Sequence, residues 1–175
     1  MKKFGVGDMV FCALFAAVTA VLSQISVPIG PVPLSLGTLG VMLCGMALGT
    51  RNGGIAVGCY ILLGLAGVPV FAGFRGGVSV LAGPTGGYIV GYLPCALLCG
   101  LAAKGSASFR LRCLLGLAGA AVYYVLGTAF FMFSTGSTLW ASLTACVLPF
   151  LPGDAAKILL SAWISPRLQK AMERR

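Results

Sequence analysis

MVFCALFAAVTAVLSQISV, residues 9–27, is the stretch that decides how the rest of the chain is read. Its 19 residues carry no charge and only a few small polar side chains, close to the roughly 20 a helix needs to cross a bilayer. Lys2 and Lys3 precede it as they would in a secretory signal. The run is too long for one and lacks an Ala-x-Ala cleavage site, so it predicts an uncleaved first helix. Within it Ala13 and Ala17, and Ala16 and Ala20, stand one helical turn apart and let another helix approach closely. A helix of the same chain and a partner protein both fit that stripe.

Further along, the same pattern repeats. With 59% apolar and 9% charged residues among 175, the chain lies outside the range of soluble globular proteins. One membrane-embedded domain over residues 1–175 is expected, all-α, with six transmembrane helices. Pro28, Gly30, Pro31 and Pro33 end the first helix in a rigid exposed loop. Spans two and three are expected over 34–49 and 55–67, joined by a tight polar turn at Arg51-Asn52-Gly53-Gly54. Residues 70–84 are apolar but broken by glycines. Such backbone is tolerated where it is buried in protein or lines a cavity, so a re-entrant or capping loop is expected in preference to a flexible connector. Span four covers 86–103, a basic connector 104–112, and span five 114–133. Residues 139–151 are too few to cross and read as a capping helix. The last helix is expected over 153–165, ended by Pro166.

Six spans put both termini on one side, and the basic residues sort accordingly. Lys2, Lys3, Arg51, Lys104, Arg110, Arg112, Arg167, Lys170, Arg174 and Arg175 all fall on that side, leaving Arg75 and Lys157 on the other. The positive-inside rule then makes the termini cytoplasmic, in a multi-pass protein of the plasma membrane. The net charge of +9 reflects orientation in the lipid bilayer, not nucleic-acid binding. The same topology gathers three unusual segments outside: 28–35, 68–85, and the one leading into Asp154. Together they are expected to form a pocket open to the extracellular side, with apolar walls and a few placed polar groups.

Chemistry is scarce. The sequence has no histidine, which removes Ser-His and Cys-His pairs and most metal sites. There is no phosphate-binding loop motif, and paired-carboxylate catalysis needs a second acid that the apolar interior lacks. The seven cysteines are scattered through apolar runs and read as small buried residues. Binding, with no cofactor, fits better than catalysis.

Within Gly153-Asp154-Ala155-Ala156-Lys157, the only acid deep in apolar sequence stands three residues before a base. On a helix both leave the same face, and charges in such surroundings usually meet a cavity, a partner or a ligand. Two readings stand: Asp154 caps the last helix and pairs with Lys157, or the two offer an acceptor and donors to a polar ligand. Gly153 would allow close approach. A second constellation, Gly83-Pro84-Thr85-Gly86-Gly87-Tyr88, supplies hydroxyls from Thr85 and Tyr88 on a tight backbone. Gly87-x-x-x-Gly91 equally suits helix packing. Arg75 either faces water or meets a ligand carboxylate.

Gly30-Pro31-Val32-Pro33-Leu34 with Thr38-Leu39, Gly67-Val68-Pro69-Val70-Phe71-Ala72-Gly73, Gly83 to Tyr88, and Leu148-Pro149-Phe150-Leu151-Pro152-Gly153-Asp154 with Lys157 together resemble the BioY family. These are the biotin-binding S components of energy-coupling factor (ECF) transporters. The resemblance covers nearly the whole chain, in order and spacing. It implies a six-helix protein that captures biotin from outside, without enzymatic activity. It also implies as partners a transmembrane coupling (T) subunit and two ABC-type ATPases. On the family's pattern Asp154 and Lys157 are the central biotin contacts, with Thr85, Gly86, Gly87 and Tyr88 beside them. The alanines of the first helix resemble the surface that meets the coupling subunit. An S component for another vitamin is the alternative. One departure is Gly37, where the family usually carries glutamine.

Overall fold

The computed structural model describes residues 5–103 and 107–173. Lys2, Lys3, Lys104, Arg174 and Arg175 lie outside the described residues. The chain is a helical bundle: α1 (Val6–Gln24), β1 (Ser26–Val27), β2 (Leu34–Ser35), α2 (Gly37–Leu65), α3 (Val78–Ala82), α4 (Gly86–Gly100), α5 (Phe109–Thr135), α6 (Leu139–Cys146) and α7 (Leu151–Glu173). A short 3-10 turn, Leu101–Ala103, extends α4.

The centre of the bundle is the first arm of α2. Residues 37–47 are buried without interruption, as expected for a helix that is apolar on every side. Its small residues permit this. A Cβ on Gly45 would lie 2.4 Å from the Ala96 carbonyl oxygen, so α4 rests directly on α2 there. Around this core, α1 and α5 turn Leu14, Val18, Val21, Leu114, Leu117 and Val125 outward. So much exposed apolar surface is unfavourable in water and matches a lipid environment. Among the described residues, three helices are long and apolar enough to cross a membrane: Val6–Gln24, Gly86–Ala103 and Phe109–Thr135. The α6–α7 pair, bent by 54°, makes a fourth if counted as one span.

Four expectations are corrected. The reversal within α2 falls at Gly49 (φ 85°, ψ 174°), and Arg51-Asn52-Gly53-Gly54 belong to the helix that follows. One residue in a conformation closed to other side chains turns the chain, and no polar turn is needed. The fold-back is tight: a Cβ on Gly53 would meet the Cys44 carbonyl oxygen at 2.5 Å. Span two starts at Gly37 and not at 34, because Leu34 and Ser35 pair with Val27 and Ser26 in a small hairpin that closes the exposed Pro-rich loop. Third, α5 starts at Phe109, so Arg110 and Arg112 are helical, not part of a connector.

Fourth, α7 passes through Pro166 to Glu173. Its neighbours hold that turn from both sides. Buried Arg112 donates to Ser165 Oγ (2.9 Å) and Gln169 Oε1 (3.3 Å), and Gln169 Nε2 donates to the Met46 carbonyl (2.8 Å). Residues 70–84 do form an irregular cover. Phe71 and Arg75 bridge through their backbones, and α3 follows.

Gly49→Ala should cost about 1–3 kcal/mol, the usual penalty for a side chain forced into such a region. Gly58→Ala, where an added Cβ meets nothing within 4 Å, should leave stability unchanged or slightly raised. Thermal unfolding of the two purified variants in detergent makes the comparison.

Candidate ligand-binding site

Asp154 lies in the first turn of α7, and its N–H already bonds the Phe150 carbonyl (2.9 Å). It is therefore inside the helix and does not cap it. Only 3% of Asp154 and 6% of Lys157 is exposed, so both charges are removed from solvent. Lys157 Nζ donates to Asp154 Oδ1 (2.8 Å), to the Ser35 carbonyl (2.7 Å) and to Thr38 Oγ1 (2.9 Å). An ammonium has three N–H donors, and all are occupied. The other carboxylate oxygen, Oδ2, accepts from the phenols of Tyr123 and Tyr124, the latter at 2.5 Å. One ion pair thus ties α7 to α5 and to the β2–α2 junction. Partners on every side are what make burying it tolerable.

Above the pair is a small chamber of about 40 Å³, lined by Val32, Leu34, Tyr88, Tyr92, Phe150 and the residues just named. Its wall is largely aromatic. Tyr123 packs against Tyr124, Tyr92 and Tyr88 at centroid distances of 4.5, 6.1 and 6.5 Å. A second chamber of about 40 Å³ shares Val32, Pro33, Tyr88 and Tyr92 with the first and adds Tyr60, Phe71, Arg75 and Thr85. Arg75, Val80 and Thr85 also border an outer cleft with Pro31, Phe74 and Pro84. The cleft, the second chamber and the first therefore adjoin in series through shared lining residues, from Arg75 and Thr85 to the buried pair.

Asp154, Lys157 and Tyr88 therefore share the inner chamber, while Arg75, Thr85 and Tyr88 share the outer one. Gly86, Gly87 and Gly153 line neither. A Cβ on Gly86 would overlap the Leu81 carbonyl oxygen, and one on Gly87 would lie 2.3 Å from Phe130 Cβ. These two glycines let α3 and α5 close on α4. At Gly153 an added Cβ would make only ordinary contact with Leu34, at 3.7 Å. Gly37 has no spare room, since its Cβ would fall 2.5 Å from Ser23 Oγ. The β2–α2 junction sits directly on α1 at that point.

The sequence profile of the BioY family matches residues 1–174. The chain belongs to the BioY family. The biotin transporter BioY of Thermotoga maritima is 38% identical over 163 residues, covering 93% of this chain and 96% of the relative. A probable biotin transporter BioY of Pyrococcus horikoshii is 40% identical over 157 residues, covering 90% and 93%. Among solved structures, the S-component for biotin from an ECF-type ABC transporter matches with a TM-score of 0.87 at 32% identity. That match covers 94% of this chain and 92% of the other. As a BioY protein the chain is a membrane transport component and not an enzyme.

In this BioY protein the first-helix alanines differ in burial, and Ala13, Ala16 and Ala17 all line one groove. Ala16 is buried against Tyr60, Val70, Phe71 and Ile89, with Ala20 packed beside them. Ala13 and Ala17 are exposed. Together with Ile55, Leu62 and Leu63 they border an apolar groove between α1 and the second arm of α2. Of the seven cysteines, Cys12, Cys44, Cys95, Cys99 and Cys146 are buried, and all seven are free thiols.

Sequence reasoning missed Tyr123, Tyr124, Tyr92, Ser35 and Thr38 as neighbours of the pair. A signal was available. The chain has five tyrosines, and all five line the two chambers. A phenol deep in apolar sequence needs a hydrogen-bond partner, and the interior holds only one carboxylate to serve Tyr123 and Tyr124.

Removing one charge of the pair should be worse than removing both. Lys157→Met should cost about 3–5 kcal/mol by stranding a buried carboxylate, and adding Asp154→Leu should recover much of it. Unfolding midpoints of the ligand-free variants measure the difference.

Proposed function

We propose that this chain is the substrate-capture (S) subunit of an ECF-type transporter and that its ligand is biotin. The observation that carries this is the Asp154–Lys157 pair at the base of an aromatic-walled chamber, in a chain that belongs to the BioY family. Biotin carries two ureido N–H donors, a carbonyl and a carboxylate on an apolar body. A carboxylate accepts from N–H, and cations bind carboxylates. Asp154 and Lys157 form the polar base of the site, Tyr88 stands between the chambers, and Thr85 and Arg75 guard the outer neck. Gly86, Gly87 and Gly153 shape the backbone around it.

The whole chain then acts as one membrane-embedded domain that crosses six times. The crossings are α1, the two arms of α2, α4 with its 3-10 extension, α5 and α7, with α6 as a cap. The short arms of α2 suit this reading because the first is surrounded by protein and needs no full lipid-spanning length. With Arg51, Arg110, Arg112, Arg167 and Lys170 at one end, the positive-inside rule puts both termini in the cytoplasm and the chambers toward the exterior. Import relies on a T subunit and two ABC-type ATPases, since this sequence carries no phosphate-binding loop. The groove at Ala13 and Ala17 is the face offered to the T subunit, where small residues allow helices to come close.

Calorimetric titration should give tight binding of biotin, with thiamine and riboflavin failing to compete. Asp154→Asn and Lys157→Ala should each lose about 2 kcal/mol or more, the cost of a buried charged group left without its partner. Tighter binding of either other vitamin would overturn the assignment. In cells carrying the complete transporter, Ala17→Trp should abolish biotin uptake while the purified variant still binds biotin. Normal uptake would remove the groove from the docking role.

A further inference from the structure

The ligand-free site is already satisfied. Lys157 has no free donor, and Asp154 accepts from Lys157, Tyr123 and Tyr124. Oδ2 already accepts from two phenols, so a ligand N–H that engages that oxygen must exchange with one of them, whereas Oδ1 carries only Lys157. The two phenols differ in how firmly they are held. Tyr123 is 3% exposed and enclosed by three aromatic rings. Its backbone is in contact with α4, where a Cβ on Gly91 would lie 2.8 Å from the Tyr123 Cα. Tyr124 is only half-buried and borders the inner chamber.

Accepting biotin as the ligand, as proposed above, its chemistry sets the orientation. Asp154 offers only acceptors, so it needs an N–H, and biotin's N–H groups are on the ureido ring. The carboxylate end would be repelled by Asp154. We infer that Tyr124 is a specificity-determining residue whose hydroxyl leaves Asp154 Oδ2 when the ureido ring enters, and donates instead to the ureido carbonyl. One ureido N–H takes the vacated place on Oδ2, while Tyr123 and Lys157 stay and hold the carboxylate. A cyclic urea has a donor beside an acceptor, so it inserts into the Tyr124–Asp154 bond and leaves neither partner unsatisfied. A ring with an N–H but no carbonyl acceptor would strand the phenol, and that is the basis of discrimination.

The test uses the full-length purified protein and biotin labelled with carbon-13 at the ureido carbonyl. Titration gives affinity, and isotope-edited infrared spectroscopy gives the strength of the hydrogen bond to that carbonyl. Tyr124→Phe keeps the ring, and its ligand-free melting temperature checks that it folds. It should change affinity little, because the bond to Asp154 that the wild type gives up offsets the one it gains on the carbonyl, and it should shift the carbonyl band to higher frequency. Tyr123→Phe should weaken binding without moving the band, because Tyr123 acts through Asp154 alone. A band at the same frequency in Tyr124→Phe and wild type would overturn the inference, whatever the affinity. So would a band that moves in Tyr123→Phe and not in Tyr124→Phe. Failure of the wild type to bind biotin is a separate result, and it would overturn the function proposed above together with this inference.

Discussion

The structure depends on a charge pair that has no access to water. Burying an ammonium and a carboxylate costs several kcal/mol per ion even after relaxation, and proximity alone does not repay that. Here the cost is met by surrounding hydrogen bonds: a carbonyl and a hydroxyl from the β2–α2 junction on Lys157, and two phenols from α5 on Asp154. The pair is consequently both a brace and a recognition surface. The groups that make it affordable to bury also fix where a ligand's polar atoms must go, because so few hydrogen-bonding positions are left open.

Around the pair, the fold separates tasks by face. Tyr88 and Tyr92 on α4, Tyr123 and Tyr124 on α5, and Phe150 just before α7 carry the aromatic wall, and the hairpin and the 70–84 segment border it. Glycine contacts bring the helices of the bundle close together. The groove on α1 runs along Ala13, Ala16 and Ala17, and Ala16 and Ala20 also pack toward Tyr60 and Phe71. A single helix therefore presents one face to the outer chamber's back wall and another to its surroundings.

Much of this was legible in the sequence, for identifiable reasons. The helices α1, α4 and α5 follow from long apolar runs, because crossing a bilayer imposes a length that no other context demands. Asp154 and Lys157 stood out because isolated charges in apolar sequence are expensive. The turn at Gly49 was misplaced because a polar tetrapeptide nearby has better turn chemistry, while a single glycine torsion makes the reversal. The end of α7 was misplaced because Pro166 is a local stop signal, and its local effect is overridden by Arg112 and Gln169 acting from a distance. Tyr123 and Tyr124 were missed because which phenol meets which carboxylate is a property of packing between helices.

The attachment of α7 to α2 at both ends bears on how the protein is made. Lys157 reaches Ser35 across 122 residues, and Gln169 reaches Met46 across 123. These contacts join α7 to the fully buried first arm of α2. Until α7 arrives, Thr38 lacks its ammonium partner, the phenols on α5 lack their carboxylate, and Arg112 lacks Ser165 and Gln169. Assembly of the bundle is therefore completed late, and a ribosome that stops before α7 leaves a product whose polar groups have no partner within the membrane.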